Sequence, residues 1–224
     1  MKAAFVTATG TDVGKTFISA GLIRARIRAG GKARAIKPVM SGYDPVHPGR
    51  SDAGLLLAAM GRAINPDTVA AISPWRFTAA ISPDMAAARE GVGIPFHDVL
   101  GFCRTAVSQA PGMMLVEGAG GVMVPLDAEH TMRDLIVLLG LPALLVTGSY
   151  LGTISHTLTA AETLRDHGVR LAAIVLSESE TSPVPVEETA ACIRRFLPET
   201  PVHGVHRDPD DEAFSSLARS FEQF

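Results

Sequence analysis

The chain has 224 residues, 47% of them hydrophobic, with 20 Lys+Arg against 23 Asp+Glu. That length and apolar content suffice for one α/β domain with a substantial core. The balanced charge and the lack of any basic block argue against nucleic acid or an anionic membrane surface as a partner. Cys103 and Cys192 stand far apart and form no CxxC pair, so they read as reduced, structural thiols of a cytoplasmic protein. The apolar start, Ala3–Val6, is too short for a signal-peptide core. The longest apolar stretch, Leu135–Val146, is broken by Gly140 and Pro142 and is too short to span a bilayer.

The run Ala3–Thr7 predicts a buried strand, and helical spacing begins at Lys15 and continues to Ala29. Between them lies Ala8-Thr9-Gly10-Thr11-Asp12-Val13-Gly14-Lys15-Thr16. A strand, a glycine-bearing loop and a helix start are what a triphosphate needs. Loop and first-turn N–H groups converge on the phosphates, and the helix dipole adds partial positive charge. Lys15 would reach the β/γ-phosphates, and the Thr16 hydroxyl would ligate Mg²⁺. The strict pattern wants Gly where this chain has Thr9, which implies a nucleotide loop of variant geometry.

A second strand is expected over Ala33–Pro38. Lys37 at its end either snorkels to solvent or supplies a second ammonium beside the γ-phosphate. Met40–Ser51 reads as a long surface loop and Asp52–Met60 as a helix. Ser51 or Asp52, taken alone, is most simply an N-cap. Helices are expected at Pro83–Glu90 and Phe96–Gln109, then a strand at Gly112–Glu117. Glu117 follows four apolar residues and precedes Gly118-Ala119-Gly120-Gly121. A carboxylate there is costly to bury without a cation or metal, so Asp52 and Glu117 could complete an oxygen shell with Thr16 around Mg²⁺. A helix at Met132–Leu139 leads to a strand at Ala143–Gly148 and a helix at Thr153–His167. The start of that last helix, Gly152-Thr153-Ile154-Ser155, offers either simple capping or an anion site suited to a carboxylate. Strands at Leu171–Leu176 and Val202–Val205 and helices at Glu187–Phe196 and Glu212–Phe221 complete the alternation. Such alternation predicts a mostly parallel sheet with helices on both faces and a ligand beyond the carboxyl ends of the strands.

Taken in order, these segments resemble the dethiobiotin synthetases, ATP-dependent cyclo-ligases of biotin synthesis. The resemblance rests on Thr11-Asp12-Val13-Gly14-Lys15-Thr16, Lys37-Pro38-Val39 with Ser41-Gly42, and Ser51-Asp52-Ala53. It continues through Ser82-Pro83, Val116-Glu117-Gly118-Ala119-Gly120-Gly121, and Leu151-Gly152 with His156. It implies a single P-loop NTPase-like domain over residues 1–224, in which 7,8-diaminononanoate, CO₂ and ATP give dethiobiotin, ADP and phosphate. The route implied runs through a carbamate and a carbamic-phosphoric anhydride. Lys15 and Lys37 would be catalytic. Asp12, Val13, Gly14, Lys15, Thr16, Phe17, Asp52, Glu117, Gly118, Ala119 and Gly120 would surround the nucleotide. Thr16, Asp52 and Glu117 would hold Mg²⁺. Thr11 and Ser41 would contact the diamine, and Gly152, Thr153, Ile154 and Ser155 of a second subunit would take its carboxylate, making the enzyme a homodimer with shared sites. Departures from the family pattern fall at Ala8, Asp12, Asp84 and the adenine-side turn, where Ser177-Glu178 replaces an Asn-Asp pair. Partition ATPases of the MinD/ParA type share the fold, but carry a lysine where this chain has Gly10.

Overall fold

The computed structural model of the protein describes residues 3–209 and 211–222. The chain begins with β1 (Ala3–Ala8), α1 (Lys15–Arg28), β2 (Ala33–Ile36) and β3 (Val39–Met40), then a 3₁₀ turn at Pro48–Arg50. It continues through α2 (Asp52–Ala59), α3 (Pro66–Ile72), β4 (Trp75–Arg76), α4 (Pro83–Arg89), α5 (Phe96–Ser108) and β5 (Met113–Glu117). Next come α6 (Met132–Leu139), β6 (Ala143–Thr147), α7 (Thr153–Asp166), β7 (Leu171–Ser177), α8 (Val186–Phe196), β8 (Val202–Val205) and α9 (Asp211–Glu222).

Six strands form one parallel sheet in the order β2-β5-β1-β6-β7-β8. Helices cover both faces of such a sheet, so its inner strands read as continuous apolar runs rather than alternations. Met113 to Glu117 and Ala143 to Thr147 are buried throughout. The register sets Val6 beside Glu117 and Ala8 beside Val146. The Thr9 N–H then donates to the Val146 carbonyl at 3.0 Å. The loop after β1 therefore opens at the carboxyl edge of the sheet, next to Glu117. At the far end of the chain, the Phe214 ring of α9 lies against Gly21 of α1, where an added Cβ would come within 2.1 Å of it. Among the described residues, no helix is long and apolar enough to cross a membrane.

The structure departs from expectation mainly between residues 36 and 83. The second strand ends at Ile36, not Pro38. Proline has no N–H for a ladder, and the Lys37 N–H donates to the Ile72 carbonyl at 2.9 Å. The chain thus leaves the main sheet, and Val39–Met40 pairs with Trp75–Arg76 in a small parallel sheet. The helix α3 was not anticipated, although its start carries a capping box. Asn65 Oδ1 accepts from the Thr68 N–H at 2.9 Å, Thr68 Oγ1 accepts from the Asn65 N–H at 3.0 Å, and proline occupies the first turn. The expected Met40–Ser51 loop contains the 3₁₀ turn, which presses on α2 so closely that a Cβ on Gly54 would lie 2.2 Å from the Pro48 carbonyl oxygen.

Candidate active site

The loop after β1 is held open by two left-handed residues, Asp12 (φ 57°) and Gly14 (φ 96°). A Cβ on Gly14 would sit 2.5 Å from Ser177 Oγ, so both conformation and space demand glycine. The first intrahelical bond of α1 runs from the Ile18 N–H to the Gly14 carbonyl. The N–H groups of Lys15, Thr16 and Phe17 come before it, at the positive end of the helix dipole. The Lys15 ammonium folds back to donate to the Gly10 carbonyl at 2.9 Å. Burial, helped by the nearby charge of Lys37, pushes the Lys15 pKa down to about 8. A second anion-seeking ammonium next to the first leaves this end of the loop poised for a negatively charged ligand.

Lys37 is the centre of the polar network. Its Nζ lies 2.7 Å from Asp52 Oδ2 and 2.9 Å from Glu117 Oε1, and donates to the Gly118 carbonyl at 3.0 Å. The residue is only 2% exposed, which rules out snorkelling. Burial works to lower its pKa, but the Glu117 and Asp52 carboxylates outweigh that and hold it above the ordinary lysine value. Burial works in the other direction on Asp52, yet the Lys37 ammonium keeps its carboxyl below the usual range. The capping question is settled by Ser51, whose Oγ accepts from the Gly54 N–H at 3.1 Å. Asp52 is the first residue of α2 and is free to face Lys37.

Thr16 Oγ1 donates to Glu117 Oε1 at 2.7 Å. The other oxygen of Glu117, Oε2, is buried with no hydrogen-bond partner. Such orphaned carboxylate oxygens are rare in folded proteins. Lys37 faces both carboxylates, and Lys15 lies within electrostatic reach of them. Among the described residues, no group of three or more His, Cys, Asp or Glu side chains converges as a metal site. Two carboxylates and a hydroxyl are instead the sparse protein shell that suits Mg²⁺, which keeps waters and takes oxygens from phosphates. The residues present fit that ion.

A cavity of about 640 Å³ opens onto this network, with Thr11, Asp12, Gly14, Lys15, Thr16, Phe17, Lys37 and Asp52 in its wall. Ser41, Ala119 and Gly120 also line it, and Ser41 Oγ is buried without a partner. The structure thereby brings together most of the residues singled out from the sequence. Ser82, which entered through the resemblance without an assigned role, lines the same cavity, as do Arg50 and Val124, which were not anticipated. Only Arg50 carried a usable signal, as a lone cation two positions before Asp52. A second cavity, about 390 Å³, lies on the other side of Gly14 between Asp12, Val13, Phe17 and the Ser177–Glu180 turn, with Arg207. There Glu178 accepts from the Arg207 N–H at 3.0 Å and faces His206 at 3.2 Å.

Gly152, Thr153, Ile154 and Ser155 line neither cavity. Thr153 is committed internally: its hydroxyl donates to the Gly148 carbonyl at 2.6 Å, and its N–H to the Tyr150 carbonyl at 3.1 Å. This first turn of α7 therefore presents Ile154 and Ser155 as its N–H donors, fewer than the sequence suggested.

A family model described as "AAA domain" matches residues 2–206. The chain is 55% identical over 199 residues to the ATP-dependent dethiobiotin synthetase BioD of Acidiphilium cryptum, covering 88% of this chain and 89% of that protein. It is 49% identical to the enzyme of the same name from Methylobacterium nodulans, covering 87% of this chain and 89% of that one. Among solved structures, the cell-division ATPase MinD of Pyrococcus furiosus superposes with a TM-score of 0.56 over 100% of this chain and 99% of its own, at 17% identity. FtsY of Thermotoga maritima gives a TM-score of 0.52 over 97% of this chain and 68% of its own, at 12% identity. These two likenesses speak for the fold alone, a mostly parallel P-loop NTPase sheet. Sequence identity at the level of the first two, across nearly the whole chain, places it more narrowly: the chain belongs to the family of ATP-dependent dethiobiotin synthetases.

Proposed function

We propose that residues 1–224 act as one catalytic domain that closes the ureido ring of dethiobiotin from 7,8-diaminononanoate, CO₂ and ATP. A carbamate on one amine attacks the γ-phosphorus through oxygen, and ADP leaves. The second amine then attacks the carbamate carbon. The C–O bond to phosphate breaks, and phosphate departs with the former carbamate oxygen. The observation that carries this reading is the Lys37–Asp52–Glu117–Thr16 network at the floor of the larger cavity, with the Glu117 oxygen left unpartnered.

In this reading Lys15, with the N–H groups from Val13 to Phe17, cradles the β/γ-phosphates. Lys37 stabilises charge on the carbamate and on the phosphoryl group in transfer, as a buried, preorganised ammonium. Thr16, Asp52 and Glu117 would hold Mg²⁺, which would supply positive charge against the charge that develops during phosphoryl transfer. Thr11 and Ser41 orient the amines, and Gly118 to Gly120 let the backbone approach the ligand. The smaller cavity receives the base, where Ser177 offers one hydroxyl instead of the paired amide donor and acceptor of asparagine. We further read the enzyme as a cytoplasmic homodimer in which the Gly152–Ser155 turn of one subunit takes the diamine carboxylate bound in the other.

The test is a product assay by mass in which each component is omitted in turn. Dethiobiotin should form only with ATP, bicarbonate, the diamine and Mg²⁺ together, with one ADP per product. ADP release that ignores the diamine contradicts the reading.

A further inference from the structure

The turn Pro48–Arg50 is more tightly placed than a surface loop requires. The Ser51 hydroxyl donates to the Pro48 carbonyl at 2.6 Å, and the Arg50 N–H donates to the His47 carbonyl at 3.0 Å. Gly54 lets the turn pack onto α2 at a separation no side chain would permit. The backbone of Arg50 is thereby fixed beside the larger cavity, and the exposed residue contributes to its wall one position before the Ser51 cap and two before Asp52. Its guanidinium has no hydrogen-bond or ion-pair partner among the described residues.

Charge accounting in this cavity singles Arg50 out. The Lys37 ammonium is balanced by Asp52 and Glu117. The Lys15 ammonium approaches from the phosphate loop and is bound to the Gly10 carbonyl. Arg50 and Lys15 are the cations of the wall that no carboxylate pairs among the described residues, and the Arg50 guanidinium stays protonated at any working pH. It would repel the amines of the diamine, so its ligand is an anion. Its planar fork matches two oxygens of one phosphate or carboxylate.

We propose that Arg50 is a further catalytic residue that grips the terminal phosphoryl group of the nucleotide from the α2 side of the cavity. The inference rests on the reading of the cavity as the phosphoryl-transfer site. Holding two equatorial oxygens while they pass between ADP and the acceptor lowers the barrier by stabilising charge that is present only beyond the β-phosphate.

The test uses Arg50→Ala and Arg50→Lys in the full chain, after thermal melting shows both folded. Binding of the Mg²⁺ complex of a non-hydrolysable triphosphate analogue is compared with binding of ADP. For Arg50→Ala, triphosphate affinity should fall about tenfold while ADP affinity stays within about twofold, and dethiobiotin turnover should drop on the order of 10²-fold. Arg50→Lys, which keeps the charge but loses the fork, should recover part of both. Equal losses for triphosphate and ADP overturn the proposal and make Arg50 a structural part of the loop. No loss in either, or a rise confined to the KM of the diamine, overturns it too. If the wild-type enzyme forms no dethiobiotin, that result counts against the reaction, and the comparison of triphosphate with ADP still decides the role of Arg50.

Discussion

At the scale of single residues, burial changes what Lys37 is expected to do. From the sequence it is a strand-end lysine that substitution should leave folded. Among the described residues it and Thr16 are the hydrogen-bond partners of the fully buried Glu117 side chain, and removing it takes away that carboxylate's ion pair. Breaking a buried ion pair from one side costs about 3–5 kcal/mol. Lys37→Gln, whose amide can still donate one hydrogen bond, should therefore lose about 2–3 kcal/mol in urea unfolding as well as roughly 10²-fold in turnover. Wild-type stability combined with wild-type turnover would make the ammonium dispensable. The metal reading gives a separate expectation. Asp52→Asn and Glu117→Gln each remove a charged oxygen from a hard cation, so half-maximal activity should need several-fold more Mg²⁺. Titrating Mg²⁺ at saturating substrates checks this, and an unshifted midpoint in both variants returns the two carboxylates to purely structural roles. These residues were legible because each follows an apolar strand or opens a helix, where a charge needs a reason. Arg50 was harder to see, because a cation in an exposed proline-glycine segment needs none.

At the scale of elements, the main sheet strands and every helix but α3 were legible from apolar runs and periodicity, whereas the pairing that sets β1 between β5 and β6 was not, because strands buried throughout carry no alternation. What the sequence obscured was the departure of the chain after Ile36. Two-residue strands such as Val39–Met40 leave no periodic trace, and Pro38 hides a change of sheet that tertiary pairing decides. The short helix α3 was readable from Asn65-Pro66-Asp67-Thr68, had capping been weighed ahead of apolar spacing. Capping also gives a pH-dependent prediction at α6. Burial works against ionised Asp134, but the Thr131 N–H, Arg133 and the Thr131 hydroxyl prevail and bring its pKa from 3.8 to about 2. Because the folded value lies below the ordinary one, the stabilisation is complete above about pH 4 and is lost as pH falls through about 2. Asp134→Asn should therefore cost about 1–2 kcal/mol at pH 6, and the gap between variant and wild type should narrow toward pH 2. Urea unfolding at pH 6 and pH 2.5 measures it, and a gap independent of pH would assign the cost to shape instead of charge.

At the scale of the whole molecule, the start of α7 lines neither cavity. If the proposed dimer is right, the diamine, an extended chain with its carboxylate remote from its amines, meets the Gly152–Ser155 turn of the second subunit. Lys37→Ala and a bulky replacement of Gly152 should each be inactive as homodimers. Gly152 has φ 98°, which a side chain resists. Co-refolded, the two variants should regain activity, since one site of the mixed dimer carries neither defect. Verified mixed dimers that stay inactive would mean that each site is built within one chain.

The central claim, that ATP drives ring closure by phosphorylating a carbamate, is tested most directly by following oxygen. With fully ¹⁸O-labelled bicarbonate and unlabelled water in a single short turnover, the account predicts one ¹⁸O in each phosphate released and one in the ring carbonyl of dethiobiotin. Phosphate that carries no ¹⁸O, its fourth oxygen coming from water, would mean that ATP is hydrolysed apart from the carbamate, and would contradict it.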